Sequence, residues 1–206
     1  MSWWQRNRWA LVALLPALAL ALVASSDRVS TYYWSADLHD ARPGARGAWL
    51  EHRDRVNEVS GERAITLGVR LDGVHRTDAG WESIVPLSLP PGTRAVRVDL
   101  TLRADPDEPM RTCQLAVRDA DGTRYDYDWA AAGGSQPVSP CVPPEAPGPF
   151  PEMQGIAPDP EELERPPEWR VAPVLIVPQD VEITEVLLWW APPTYLELSV
   201  GEPSVG

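Results

Sequence analysis

Val96-Arg97-Val98-Asp99-Leu100-Thr101-Leu102-Arg103 alternates apolar and polar residues without interruption. A strand turns successive side chains to opposite faces, so this stretch predicts one buried face and one wet face. The same period runs through Ile65, Leu67, Val69 and Leu71, spaced by Thr66, Gly68 and Arg70. Leu115 and Val117 continue it, and Cys113 shares their parity and should point inward. Tyr125, Tyr127 and Trp129 alternate with Asp126 and Asp128. Val171–Val177, Val181–Trp190 and Tyr195–Val200 complete the set. The parity breaks between Ile183 and Val186, which predicts a bulge or an all-buried stretch. Asp119-Ala120-Asp121-Gly122, Leu89-Pro90-Pro91-Gly92, Asp105-Pro106 and Pro192-Pro193 supply turns. No segment after residue 26 carries a long helical stripe. The expectation is an all-β chain, an immunoglobulin-like antiparallel β-sandwich over residues 47–206.

Ahead of that domain lies a segment of another kind. Gln5, Arg6, Asn7 and Arg8 precede an apolar run from Trp9 to Ala24, which reaches 18 residues with Ser25 and Ser26. That length lies near the lower limit of about 17–25 residues for a spanning helix. Arg6 and Arg8 before the run place the N-terminus in the cytoplasm and the rest outside. Trp3, Trp4 and Trp9 suit the headgroup region. Two readings stay open for residues 1–26: a retained transmembrane anchor, or a signal peptide cut near Ala24-Ser25-Ser26. Residues 27–46, with Tyr32, Tyr33 and Trp34, read as a juxtamembrane linker.

The formal net charge is -12, and beyond residue 26 the chain has 16 Arg against 30 acids, a net of -14. Such a surface argues against nucleic acid and anionic lipid headgroups, which both attract basic proteins. All 18 basic residues are Arg, and Phe occurs only at Phe150. The wealth of Ala, Arg, Pro, Gly and Val resembles the composition of proteins from GC-rich genomes such as those of actinobacteria.

Cys113 and Cys141 are the only cysteines. In an exported domain they are expected to form one disulfide. Residues 130–168 interrupt the strand rhythm with 11 prolines and the acidic Glu161-Glu162-Leu163-Glu164. A loop of this length exceeds an ordinary hairpin connection. It reads as a proline-rich insertion, stapled at Cys141 and suited either to tolerated variation or to recognition. Trp189 and Trp190 must alternate faces, so one is expected to point outward, as a binding anchor or beneath the insertion.

The stretch Arg94–Val200 resembles the secreted bacterial immunoglobulin-like domains of the telokin-like extracellular class. The residues that carry the likeness are the alternating strand and polar bend Arg94–Asp107, then Asp121-Gly122-Thr123-Arg124-Tyr125, then Leu175-Ile176-Val177-Pro178 followed by two strands. The resemblance implies an extracytoplasmic sandwich and no particular activity, because a fold does not fix a function.

Catalytic chemistry finds little to stand on. His39, His52 and His75 form no close pair and no metal-ligand motif, and His75, after Asp72-Gly73-Val74, reads as a turn residue. No Gly-x-Ser-x-Gly nucleophile motif occurs. Asp119, Asp121, Asp126 and Asp128 begin like a calcium loop, but the glycine comes too early and no terminal Glu follows. The expectation is therefore no catalytic residue, no metal and no cofactor. The domain is expected to be an envelope-associated interaction or accessory module. It would be held to the membrane by its helix and would meet another membrane or exported protein through Phe150, Trp189 or Trp190. A secreted ligand- or calcium-binding domain is the alternative, and an enzyme acting on envelope polymers stands behind both.

Overall fold

The structure, a computed structural model, describes residues 3–30, 34, 36–58, 61–78, 89–131, 137–152, 155–157 and 163–201. Tyr32, Tyr33, Trp81, Gly133-Gly134 and Glu161-Glu162 lie outside the described residues.

One helix precedes twelve described strands. Helix α1 (Trp3–Val29) contains Pro16 and is exposed along its apolar length. Its stretch Gln5–Ser26 is long and apolar enough to cross a membrane, by length and composition. The strands are β1 (Asp40–Ala45), β2 (Leu50–Glu58), β3 (Gly61–Thr77), β4 (Thr93–Ala104), β5 (Gln114–Asp119) and β6 (Arg124–Asp126), then β7 (Phe150–Glu152), β8 (Gly155–Ala157), β9 (Glu168–Val171), β10 (Val174–Pro178), β11 (Ile183–Trp189) and β12 (Thr194–Ser199). One sheet has the order β1-β12-β11-β5-β6. The other has β10-β4-β3-β2, with β9 also pairing β4. The two sheets form a β-sandwich.

Between them lie Ile65, Leu67, Val69 and Leu71 of β3, Val96, Val98, Leu100 and Leu102 of β4, Leu115 and Val117 of β5, and Val186, Leu188, Leu196 and Leu198 of β11 and β12. This is the period-two pattern expected from the sequence. Each such aliphatic side chain contributes about 1.5–3 kcal/mol on full burial. The register also shifts between Ile183 and Glu185, where the parity break predicts a bulge.

Three details differ from the sequence-based expectation. Residues 40–45 are not linker: they form β1, which runs parallel to β12 from Asp40↔Thr194 to Ala45↔Ser199. Gly44 permits this close approach, since a Cβ there would lie 2.8 Å from Leu198 Cδ2. His75 does not sit in a turn. Strand β3 passes through a bulge between Leu71 and Gly73 and continues, setting His75 opposite Arg97. Finally, Val171–Val177 is two strands, both paired with β4 and separated at Ala172-Pro173.

The register defines two ends. At one end the β4 terminus (Ala104), the start of β5 (Gln114), the close of β11 (Trp189) and the first residues of β1 and β12 come together. The proline-rich insertion and the chain arriving from α1 both join the sandwich there. At the other end stand the start of β4 and the close of β3 and β12.

Candidate functional site

A proline supplies a carbonyl acceptor but no N–H. A segment with 11 prolines is therefore rich in acceptors and poor in donors, and side chains must supply the difference. Tyr127 Oη donates to the Pro137 carbonyl at 2.6 Å, Trp169 Nε1 to Cys141 at 2.7 Å, and Arg111 Nε to Gly148 at 2.7 Å. Arg165 does most. Its guanidinium donates to the carbonyls of Asp105 (2.8 Å), Pro106 (3.3 Å), Glu108 (2.6 Å) and Pro147 (3.3 Å), and stacks over Trp169 at 4.5 Å. Arg165 is 1% exposed. Burial lowers its pKa to about 10, which leaves it charged at neutral pH. Gly148 holds a left-handed φ of 75°, and a Cβ there would lie 2.7 Å from an Arg165 nitrogen.

Cys113 and Cys141 are bonded, with Cα atoms 6.0 Å apart. Cys141, Val142, Ala146 and Met110 are buried with them. The described first part of the insertion is thus part of the core's end wall rather than an appendage.

Among its described residues, the insertion also leaves large apolar side chains outside. Beyond α1 and Trp34, the large hydrophobic side chains that stand exposed among the described residues are Trp129, Val138, Phe150 and Leu163. All four belong to the insertion or to the residue just before it. Phe150, the anchor expected from the sequence, is 49% exposed at the start of the β7–β8 hairpin.

The tryptophan pair divides as alternation requires. Trp190 is 8% exposed and belongs to the core, stacked against His52 with ring centroids 6.0 Å apart. It offers no free surface, which corrects the expectation of Trp190 as an anchor. Trp189 lies on the outer face with Leu187, Ala116, Tyr195 and Leu38, and Arg124 covers its ring at 5.6 Å. Beside it Arg118 bonds Glu185 and Glu197, and Tyr195 Oη donates to Glu197 at 3.1 Å. The hydrogen bond to Glu185 is the chief reason that the Arg118 pKa is raised; burial works against it. This cluster is internally paired and braces three strands across their outer face.

His52 is 5% exposed, with Nε2 3.7 Å from Asp54 Oδ2. Burial lowers its pKa, Asp54 opposes that effect, and Arg42 adds to it. The folded state therefore holds His52 neutral at a pH where the unfolded chain binds a proton. That contribution to stability is intact above the unfolded pKa of about 6.5 and is lost as pH falls through it, until the folded group also protonates. Replacing His52 by Phe keeps a ring against Trp190 and removes the proton. Below pH of about 6.5, unfolding in urea should show a shallower pH dependence for His52→Phe than for the wild type. Equal slopes would mean that His52 is solvated.

The acidic cluster does not assemble as a metal site. Asp119 accepts from the backbone of Asp121 (3.0 Å) and Thr123 (2.8 Å) and from Tyr125 Oη (2.9 Å). Burial pushes its pKa up, but these hydrogen bonds together bring the carboxyl below its ordinary value. Asp126 pairs with Arg124 at 2.9 Å, and Glu108 with Arg63. Among the described residues no group of three or more His, Cys, Asp or Glu side chains is placed to hold a metal ion. His39, His52 and His75 stand on three separate stretches.

Sequence reasoning missed Arg165. Glu164-Arg165-Pro166-Pro167 looks like solvated linker. The available signal was the donor deficit of the prolines around it.

No protein-family model matches the chain. No curated protein matches it either. A solved structure similar to it is that of an uncharacterised β-sandwich protein from Clostridium difficile 630, with a TM-score of 0.41 and 9% identity, covering 80% of this chain and 97% of the other.

Proposed function

We propose that this chain is a single-pass, envelope-associated interaction module without catalytic activity or cofactor. Its N-terminus lies in the cytoplasm and its sandwich outside, where the insertion meets another membrane or exported protein. The observation that carries this reading is the concentration of exposed large hydrophobics on Trp129, Val138, Phe150 and Leu163. Exposed aromatics and aliphatics gathered on one anchored segment suit a partner better than solvent.

Position supports it. The chain reaches β1 at the insertion's end of the sandwich, and residues 30–39 span at most about 35 Å when extended. If α1 is retained in the bilayer, the insertion lies on the membrane-proximal side. The disulfide and the order of sequence motifs, which resembles that of telokin-like extracellular domains, fit an extracytoplasmic setting. A signal peptide followed by release is the competing fate of α1, and the mature N-terminus distinguishes the two.

Deleting residues 142–166 would be a poor test, because it removes buried Val142, Ala146 and Arg165. Amine-directed crosslinkers are also unsuited, since the chain has no Lys. A photoreactive amino acid in place of Phe150 in native membranes is the direct experiment. It should give one reproducible protein adduct. Phe150→Ser should weaken the partner's binding by about thirtyfold, the scale of an aromatic hot spot, without lowering the melting temperature. No adduct, or binding unchanged in Phe150→Ser, would overturn the reading.

A further inference from the structure

At the end of the sandwich opposite the insertion, the described residues of the two sheets line a cleft of about 360 Å³. Its apolar lining is Val74, Val96, Val181, Ile183 and Val200. Two arginines share it. Arg94 has the parity of Val96 and Val98 on β4, so it belongs to the core face. On β3 the bulge between Leu71 and Gly73 shifts parity, setting Val74 opposite Val98 and Arg76 opposite Val96. The bulge thus carries Arg76 onto the same inward face. An uninterrupted alternation from Leu71 would have put His75 there instead.

Arg94 donates to the Val181 carbonyl, yet its Nε is buried without a hydrogen-bond partner. An unpaired buried donor costs about 1–3 kcal/mol and calls for an explanation. Asp180, Glu182 and His75 also line the cleft, and His75 lies 3.4 Å from Asp99. Burial lowers the Arg94 pKa most, Arg76 lowers it further, and the opposing pull of Asp180 is weaker than the push of Arg76. At Arg94, therefore, the neighbouring cation outweighs the neighbouring anion.

We propose that this mouth binds a carboxylate carried on a short apolar body, with Arg94 and Arg76 holding the head and the valines and Ile183 covering the tail. Guanidinium and carboxylate match as planar, two-pronged partners. Asp180 and Glu182 at the same cleft offset charge on the two guanidiniums, which suits a head carrying a single negative charge. The volume is that of a small ligand site. This inference uses none of the residues of the interaction surface and stands or falls apart from it.

The probe is hexanoate, titrated calorimetrically into the full chain in lipid nanodiscs, with empty discs subtracted and hexylamine and hexanol as controls. Hexanoate should bind saturably at one site, more weakly as salt rises. The amine and the alcohol should not. Arg94→Gln and Arg76→Gln should each weaken binding about tenfold or more, the scale of a charge-assisted hydrogen bond. Arg76 is exposed, so Arg76→Gln should keep the wild-type melting temperature and remains decisive if Arg94→Gln unfolds. Absence of saturable binding, equal binding of hexanol, or unchanged affinity in Arg76→Gln would overturn the proposal.

Discussion

Replacing Arg165 by Ala should cost about 3–5 kcal/mol of stability. The side chain is buried and gives hydrogen bonds to four carbonyls. Removing it takes a donor from three carbonyls of the β4–β5 connection and from Pro147 of the insertion, and of these the Asp105 carbonyl keeps the Glu108 N–H. Each stranded acceptor costs about 1–3 kcal/mol, reduced where water reaches the gap. The π-stack on Trp169 goes as well. For a domain of this size the melting temperature should fall by roughly 8–16 °C. Arg165→Lys should recover little, since one ammonium cannot span the fork that reaches both the β4–β5 connection and Pro147. Limited proteolysis should show the insertion cut first. A loss below about 1 kcal/mol in Arg165→Ala would mean that these carbonyls are solvated.

The second large effect belongs to the disulfide. Cys113 and Cys141 are 28 residues apart, and closing such a loop in the unfolded chain stabilises the folded state by about 3.5 kcal/mol on the chain-entropy account. Both positions are buried, so the Cys113→Ala/Cys141→Ala double variant also loses some packing. Reductant alone should lower the wild-type melting temperature and leave the double variant unmoved. The disulfide and Arg165 hold the same segment, so removing both should cost less than the two losses added. A strictly additive cycle would show that the two anchors act on independent parts of the fold. A wild-type melt insensitive to reductant under denaturing conditions would refute the bond itself.

How far the sequence disclosed this fold can be judged strand by strand. The strand β4 was legible because Val96 to Leu102 alternate and face a continuous core. The strand β1 was not, since Asp40-Ala41-Arg42-Pro43-Gly44-Ala45 has neither alternation nor bulk. It is a strand because β12 offers an unpaired edge, where a proline is tolerated. The second half of β3 was misread because a bulge reverses parity within a run whose glycine and aspartate look like a turn. The pairing of Cys113 with Cys141 was legible from their number and from the exported setting that the sequence led one to expect. That Trp189 and Trp190 divide was legible, but which of them faces inward was not, and the burial of Arg165 was signalled only by the prolines around it. Both depend on which face of a strand, or which carbonyls, the tertiary fold brings near.

The parallel pairing of β1 with β12 has a mechanical side. The tether from α1 leaves β1 at Asp40, while β12 ends at Ser199, at the far end of the ladder. A pull between the helix and that far end would run along both strands in opposite senses. It would load the hydrogen bonds from Asp40↔Thr194 to Ala45↔Ser199 together, in shear, rather than one after another as in peeling. The short strand that the sequence disguises as linker is therefore placed to bear load when the chain is pulled between Asp40 and Ser199.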